Sequence, residues 1–188
     1  MNKIKLILIL LLAQNIASAQ ISSITRNKNS YTKEVFNYSG VRAIQIDEVN
    51  SPNNEENVFI FSKVEKNANP DMMYFQRFTK VLGTWKLISS LPIKHAGAIS
   101  AWGSRKAFAD YNKDKSVDAL FIYALYDAGF KQQTVNLLFS RKNEIYLIEA
   151  SKFDGFEKNK FSKNFDSLDE GTKTEILEYW NGLDKADD

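Results

Sequence analysis

The chain has 188 residues, 25 basic and 23 acidic side chains, one histidine and no cysteine. The missing thiols exclude disulfides, thiolate metal centres and a cysteine nucleophile. Nothing in the near-balance of charge suggests nucleic acid or an anionic membrane as a partner.

The first twenty residues read as a targeting segment. Lys3 and Lys5 precede an apolar run, Ile4 and Leu6 to Leu12, that is too short to span a bilayer, and Ala17-Ser18-Ala19 offers a small-x-small cleavage site before Gln20. A signal peptide over 1–19 is expected to be cleaved, leaving one domain over 20–188 that is exported to the periplasm or secreted. Removing Lys3 and Lys5 leaves 23 basic against 23 acidic residues. No later apolar stretch is long enough for a transmembrane helix.

Residues 20–30 are polar and read as a loose lead-in. Short β-type runs follow, separated by turn residues. Val41 to Glu48 alternates imperfectly. Asn57 to Lys63 places Val58 and Ile60 on one face and Phe59 and Phe61 on the other. Met72 to Val81 and Thr84 to Ser89 make a hairpin closed near Gly83, with Trp85, Leu87 and Ser89 on one face. Residues 90–108 are ambiguous, interrupted by Pro92, Gly97 and Gly103. Val117 to Tyr126 is apolar on both faces and belongs in the centre of a sheet. Thr134 to Ser140 turns Val135, Leu137 and Phe139 inward, with Thr134, Asn136 and Ser140 outward. Glu144 to Ala150 returns as its partner. Phe153, Phe156, Phe161 and Phe165 read as pins holding a long connection to the sheet, with a partner-binding patch as the other reading. The period then changes: Thr172 and Glu175 suggest a capping box, and Ile176, Trp180 and Leu183 recur at helical spacing over 172–182. The expectation is an α+β fold, mainly an antiparallel twisted β-sheet in meander order with one C-terminal α-helix.

One loop carries chemical content. Asp110, Asn112, Asp114 and Asp118 stand at positions 1, 3, 5 and 9 of a nine-residue segment, and Ser116 at position 7 offers a carbonyl. Alternate residues of a tightly curled loop can turn inward and supply the oxygen ligands that Ca²⁺ needs. Position 6, where such loops favour a left-handed glycine, is Lys115. Position 12 is Phe121, so the bidentate glutamate of an EF-hand is missing. The segment reads as a weak, structural Ca²⁺ loop or as a metal-free Asx-rich turn.

Trp102 and Tyr111 are the aromatic candidates for stacking on a sugar; Trp85 and Trp180 read as core. His95 reads as a loop histidine, with general-base catalysis as the sharper alternative. The carboxylate pairs Asp47 and Glu48, Glu55 and Glu56, and Asp154 and Glu157 admit glycosidase chemistry only if the fold opposes two of them. No nucleophile–base motif is visible.

The order of Gly83-Thr84-Trp85, the acidic loop, Phe121-Ile122-Tyr123, Val135 to Phe139, Asn143 to Ile148 and a final Trp180 helix resembles a family of small exported proteins labelled surface polysaccharide biosynthesis proteins. The resemblance covers residues 73–183. It departs from the family at Lys115, at Asp118 and in the missing cysteines. It implies a non-catalytic envelope protein that binds a surface glycan or an envelope protein. A periplasmic inhibitor or immunity-type protein and a carbohydrate-active hydrolase are the alternatives.

Overall fold

A computed structural model describes residues 21–26 and 31–186. The expected signal peptide lies outside the described residues. Ten strands form two antiparallel five-stranded sheets in meander order. The first holds β1 (Ser22–Thr25), β2 (Arg42–Asn50), β3 (Glu56–Lys63), β4 (Asp71–Val81) and β5 (Thr84–His95). The second holds β6 (Ala98–Ala109), β7 (Asp118–Tyr126), β8 (Gln132–Arg141), β9 (Glu144–Ser151) and β10 (Asn159–Phe161). A short helix α1 (Lys33–Phe36) lies on the first sheet, and helix α2 (Glu170–Asn181) covers the second.

The α+β, mainly antiparallel expectation holds, with two sheets in place of one. The split follows from apolar side chains on both faces of the central strands. On β3, Phe59 and Phe61 face the second sheet while Val58 and Ile60 face α1. On β7, Ala119, Phe121 and Tyr123 join the layer between the sheets, and Leu120, Ile122 and Ala124 face α2. Phe121 is the hub of the middle layer. Its ring centroid lies 5.6 Å from Phe59, 5.2 Å from Phe61, 5.5 Å from Phe75 and 5.6 Å from Phe108.

Several elements differ from the sequence reading. Residues 22–25 of the lead-in pair with β2, and the ambiguous 90–108 segment is strand on both sides of Ala96-Gly97. Gly97 sits where no side chain fits: a Cβ there would stand 1.9 Å from the carbonyl oxygen of Tyr126. The imperfect alternation of β2 is a bulge between Ala43 and Gln45, and a second bulge in β5 leaves Leu87 exposed while Trp85 packs at 5.1 Å from Phe36. Asn136 and Ser140 are buried, because their face of β8 meets the first sheet. Asp169 caps α2, its Oδ1 accepting from the Thr172 amide at 2.9 Å; Thr172 is buried inside the helix instead of opening a capping box. Of the four phenylalanines in the connection, Phe165 is buried and Phe156 packs on the helix-side core, but Phe161 is exposed and Phe153 is 101% exposed.

Candidate functional site

A meander puts alternate turns at opposite ends. One end gathers the turns around 51–55, 82–83, 110–117 and 142–143. Two hydrogen bonds tie the first of these to the third: the Asn53 amide donates to the Lys115 carbonyl at 3.3 Å, and the Val117 amide to Ser51 Oγ at 3.0 Å. Arg77 Nη1 donates to the Lys142 carbonyl at 3.3 Å.

The Asp110–Asp118 loop lies here, curled around its own carboxylates. Asp110 accepts from the Asp114 amide at 2.9 Å and the Lys115 amide at 2.8 Å, and Asp114 accepts from the Ser116 amide at 2.9 Å. Lys115 takes the left-handed conformation, φ 69°, that position 6 of such a loop requires, and Lys113 does the same at φ 59°. Asn112 Nδ2 donates to Asp114 Oδ2 at 2.8 Å, and Lys142 Nζ reaches the same oxygen at 2.9 Å. Burial opposes the Asp114 charge, but the Asn112 hydrogen bond, the Lys142 ion pair and the Ser116 amide outweigh it and hold the carboxyl at about 2.

Asp118 is treated differently. It is fully buried, accepts from the Tyr111 amide at 3.3 Å through Oδ2, and leaves Oδ1 without a hydrogen-bond partner; Asn112 Oδ1 is likewise buried and unpartnered. Burial pushes the Asp118 carboxyl up to about 7, with Arg141 opposing the rise. Two orphaned oxygens in one acidic loop are the donor type a hard cation takes. Among the described residues, no three His, Cys, Asp or Glu groups stand arranged to hold a metal ion. Asp114 is turned to Lys142 and the Asp110 oxygens to amides.

Beneath the loop, Arg77 is buried. Its Nη2 meets Asn57 Oδ1 at 2.9 Å and Glu55 Oε1 at 3.4 Å, and Thr79 Oγ1 donates to the same Asn57 oxygen at 2.7 Å. Sequence reading missed this network, since an arginine in an alternating strand looks like a solvent-facing residue.

Trp102 and Tyr111 are half-buried against the helix-side core, with Tyr111 edge-on to Phe139 at 5.5 Å. His95 lies 2.8 Å through Nε2 from the Tyr126 carbonyl, so that nitrogen donates. Four of the six carboxylates in the three pairs are engaged by other side chains. Asp47 is buried with Lys106, Thr25 and Gln45, Glu48 pairs with Arg26 at 2.7 Å, Glu55 meets Arg77, and Glu56 pairs with Lys80 at 3.0 Å.

A cleft of about 560 Å³ opens between the β1–β2 edge of the first sheet and β6 of the second, lined by Thr25, Arg26, Gln45, Ser100 and Lys106 among others. One wall comes from an irregularity: between Ala101 and Lys106 the β6 strand runs four residues against one on β7. The Lys106 ion pair with Asp47 and the Arg26 pair with Glu48 fix the positions of both cations. Comparison of the chain with protein-family models, with curated proteins and with solved structures finds no match in any of the three.

Proposed function

We propose that this chain is an exported, non-catalytic envelope protein that binds a glycan, in line with the surface polysaccharide biosynthesis family its sequence resembles. The observation that carries the reading is the cleft at β1, β2 and β6. It is open, sized for a few sugar units, and edged by hydroxyl, amide and cationic donors held by ion pairs. The carboxylates beside it, Asp47 and Glu48, are spent on those pairs, which supports binding over hydrolysis.

The test is calorimetric titration of the protein with envelope oligosaccharides. Ser100 is an exposed cleft residue, so Ser100→Trp fills the site at little cost to the fold. Binding by the native chain and at least tenfold weaker binding by the variant support the reading. Equal binding by both, or heat release with reducing ends appearing in solution, removes it.

The acidic loop complements this role as a structural Ca²⁺ site. Asp118 Oδ1 and Asn112 Oδ1 would supply its first oxygens, and Asp114 would join by exchanging Lys142 for the cation. A bound Ca²⁺ would neutralise the buried Asp118 charge and fasten the loop ahead of β7. Millimolar Ca²⁺ is expected to raise the melting midpoint by a few degrees, roughly, relative to EDTA. Asp118→Asn should abolish the shift, and Lys142→Ala should enlarge it. A midpoint indifferent to Ca²⁺ in all three proteins leaves the loop as a metal-free Asx turn.

A further inference from the structure

The end of the sandwich opposite the acidic loop carries two exposed phenylalanines that the fold does not use. Phe130 is 78% exposed in the β7–β8 turn, and Phe153 is wholly exposed in the 3₁₀ turn Lys152–Asp154 that follows β9. They come from separate loops yet edge the same open groove of about 520 Å³. A single exposed apolar side chain is ordinary; two large ones converging from different loops mark an interaction surface.

Three further observations bear on what that surface meets. Each phenylalanine has a lysine as its immediate neighbour, Lys131 and Lys152. Both lysines line the groove, and neither makes an ion pair among the described residues. Of the acids in these two turns, Asp127 is engaged by its own turn, its carboxylate accepting from the Gly129 amide at 2.8 Å, the Lys131 amide at 2.9 Å and Gln133 Nε2 at 3.1 Å, and Asp154, next to Phe153, has its Oδ1 buried. On the other side of Phe130, a second hollow adds exposed Arg42 and Lys66 against Glu65. Finally, Phe130 itself takes the left-handed conformation, φ 59°, while the adjacent Gly129 does not. A bulky residue held in a glycine conformation, with its ring in solvent, breaks a local rule without any gain in packing.

We propose that this end of the protein docks on an anionic phospholipid bilayer, with Phe130 and Phe153 entering the headgroup–acyl boundary and Lys131 and Lys152 facing the lipid phosphates. Aromatic side chains flanked by lysines are the composition of an interfacial anchor. The high exposure of both rings suits insertion. The proposal is independent of the glycan cleft, which lies between the sheet edges and shares no lining residue with this groove.

The absence of cysteine allows a unique label. Ala128→Cys, in the exposed Phe130 turn, and Leu82→Cys, at the exposed hairpin tip of the opposite end, are each tagged with an environment-sensitive fluorophore in the full chain. The chains are mixed with vesicles of phosphatidylcholine alone or with 30% phosphatidylglycerol, as a chosen composition of about that value. The expected result is a blue shift and quenching by spin-labelled lipid at position 128 but not at position 82, on the anionic vesicles only. Half-molar salt should weaken it. Phe130→Ser with Phe153→Ser should reduce the partition at least tenfold, and Lys131→Glu with Lys152→Glu should abolish the preference for anionic lipid. A label at 128 that does not respond to anionic vesicles overturns the proposal. So does a response equal at both ends, or one that a soluble anionic polysaccharide evokes and vesicles do not. Unchanged circular dichroism melts of the serine and glutamate variants keep a folding defect from imitating the loss.

Discussion

The two ends of the sandwich are made of the same connections between antiparallel strands, yet they dispose of their polar groups in opposite ways. At the acidic end, charges turn inward. Asp110, Asp114 and Asp118 are wrapped by amides and by Lys142, and Arg77 is buried on Asn57 and Glu55. At the other end, Asp127 is the only one of the β7–β8 turn's charges consumed by the turn, and Lys131, Lys152, Phe130 and Phe153 face outward. The first end gains stability from its polar residues. The second uses Asp127 and the Lys63–Asp71 pair in the same way but leaves Lys131, Lys152, Phe130 and Phe153 outward, free to serve a partner. A turn is therefore better judged by whether its polar and aromatic groups are satisfied internally than by its composition.

Substitutions break or sharpen that contrast. The largest effect is expected at the layer both ends share. Phe121→Ala should cost about 3–5 kcal/mol, measured by urea unfolding, because the rings of Phe59, Phe61, Phe75 and Phe108 cannot close the gap. Arg77→Ala should cost about 3 kcal/mol and act on one end alone, since it strands Asn57 and Glu55. Hydrogen exchange should then rise in the 51–55 and 110–118 turns while the 127–131 turn stays as it was. Uniform loosening of both turns would show that the ends are not independent.

A smaller effect concerns the α2 cap. The Thr172 amide and hydroxyl hold Asp169 at about 2. A folded-state pKa below the unfolded value near 4 contributes stability that is complete above pH ~4 and is lost as pH falls through about 2. Asp169→Asn keeps an acceptor on the Thr172 amide but removes the titration. Its stability should therefore fall less steeply than that of the native chain between pH 4 and 2; parallel curves would contradict the assignment. The smallest effect is the most telling for the contrast. Phe153→Ser should change stability by no more than about 0.5 kcal/mol, because the ring touches nothing in the fold. A loss of several kcal/mol would mean that Phe153 is a structural pin after all.

Much of the fold was legible along the chain. The two-faced apolar character of β7, the alternation of Val58, Phe59, Ile60 and Phe61, and the helical spacing of Ile176 and Trp180 all name the faces they bury. These signals are local, since they follow from the periods of strand and helix. Less of the site was legible. The acidic loop was visible because its residues lie within nine positions, but Lys115 at its sixth position spoke against the left-handed turn that the structure shows there. The Arg77 network, the cleft and the Phe130–Phe153 groove were not, because each joins residues that are far apart in the chain. Trp102 and Tyr111 stand in or beside loops, and their partial packing against the helix-side core was not visible in the sequence.

The sequence by itself determined which segments extend, which one coils, and that central strands must be covered on two sides, because alternation and apolar content act over a few residues. Only the tertiary structure decided that the meander divides after β5 into two packed sheets, and which turns meet at which end. It also decided that the lysines and phenylalanines of two distant loops share one surface. Those outcomes depend on how whole faces stack to exclude water, and no short stretch of chain contains that information.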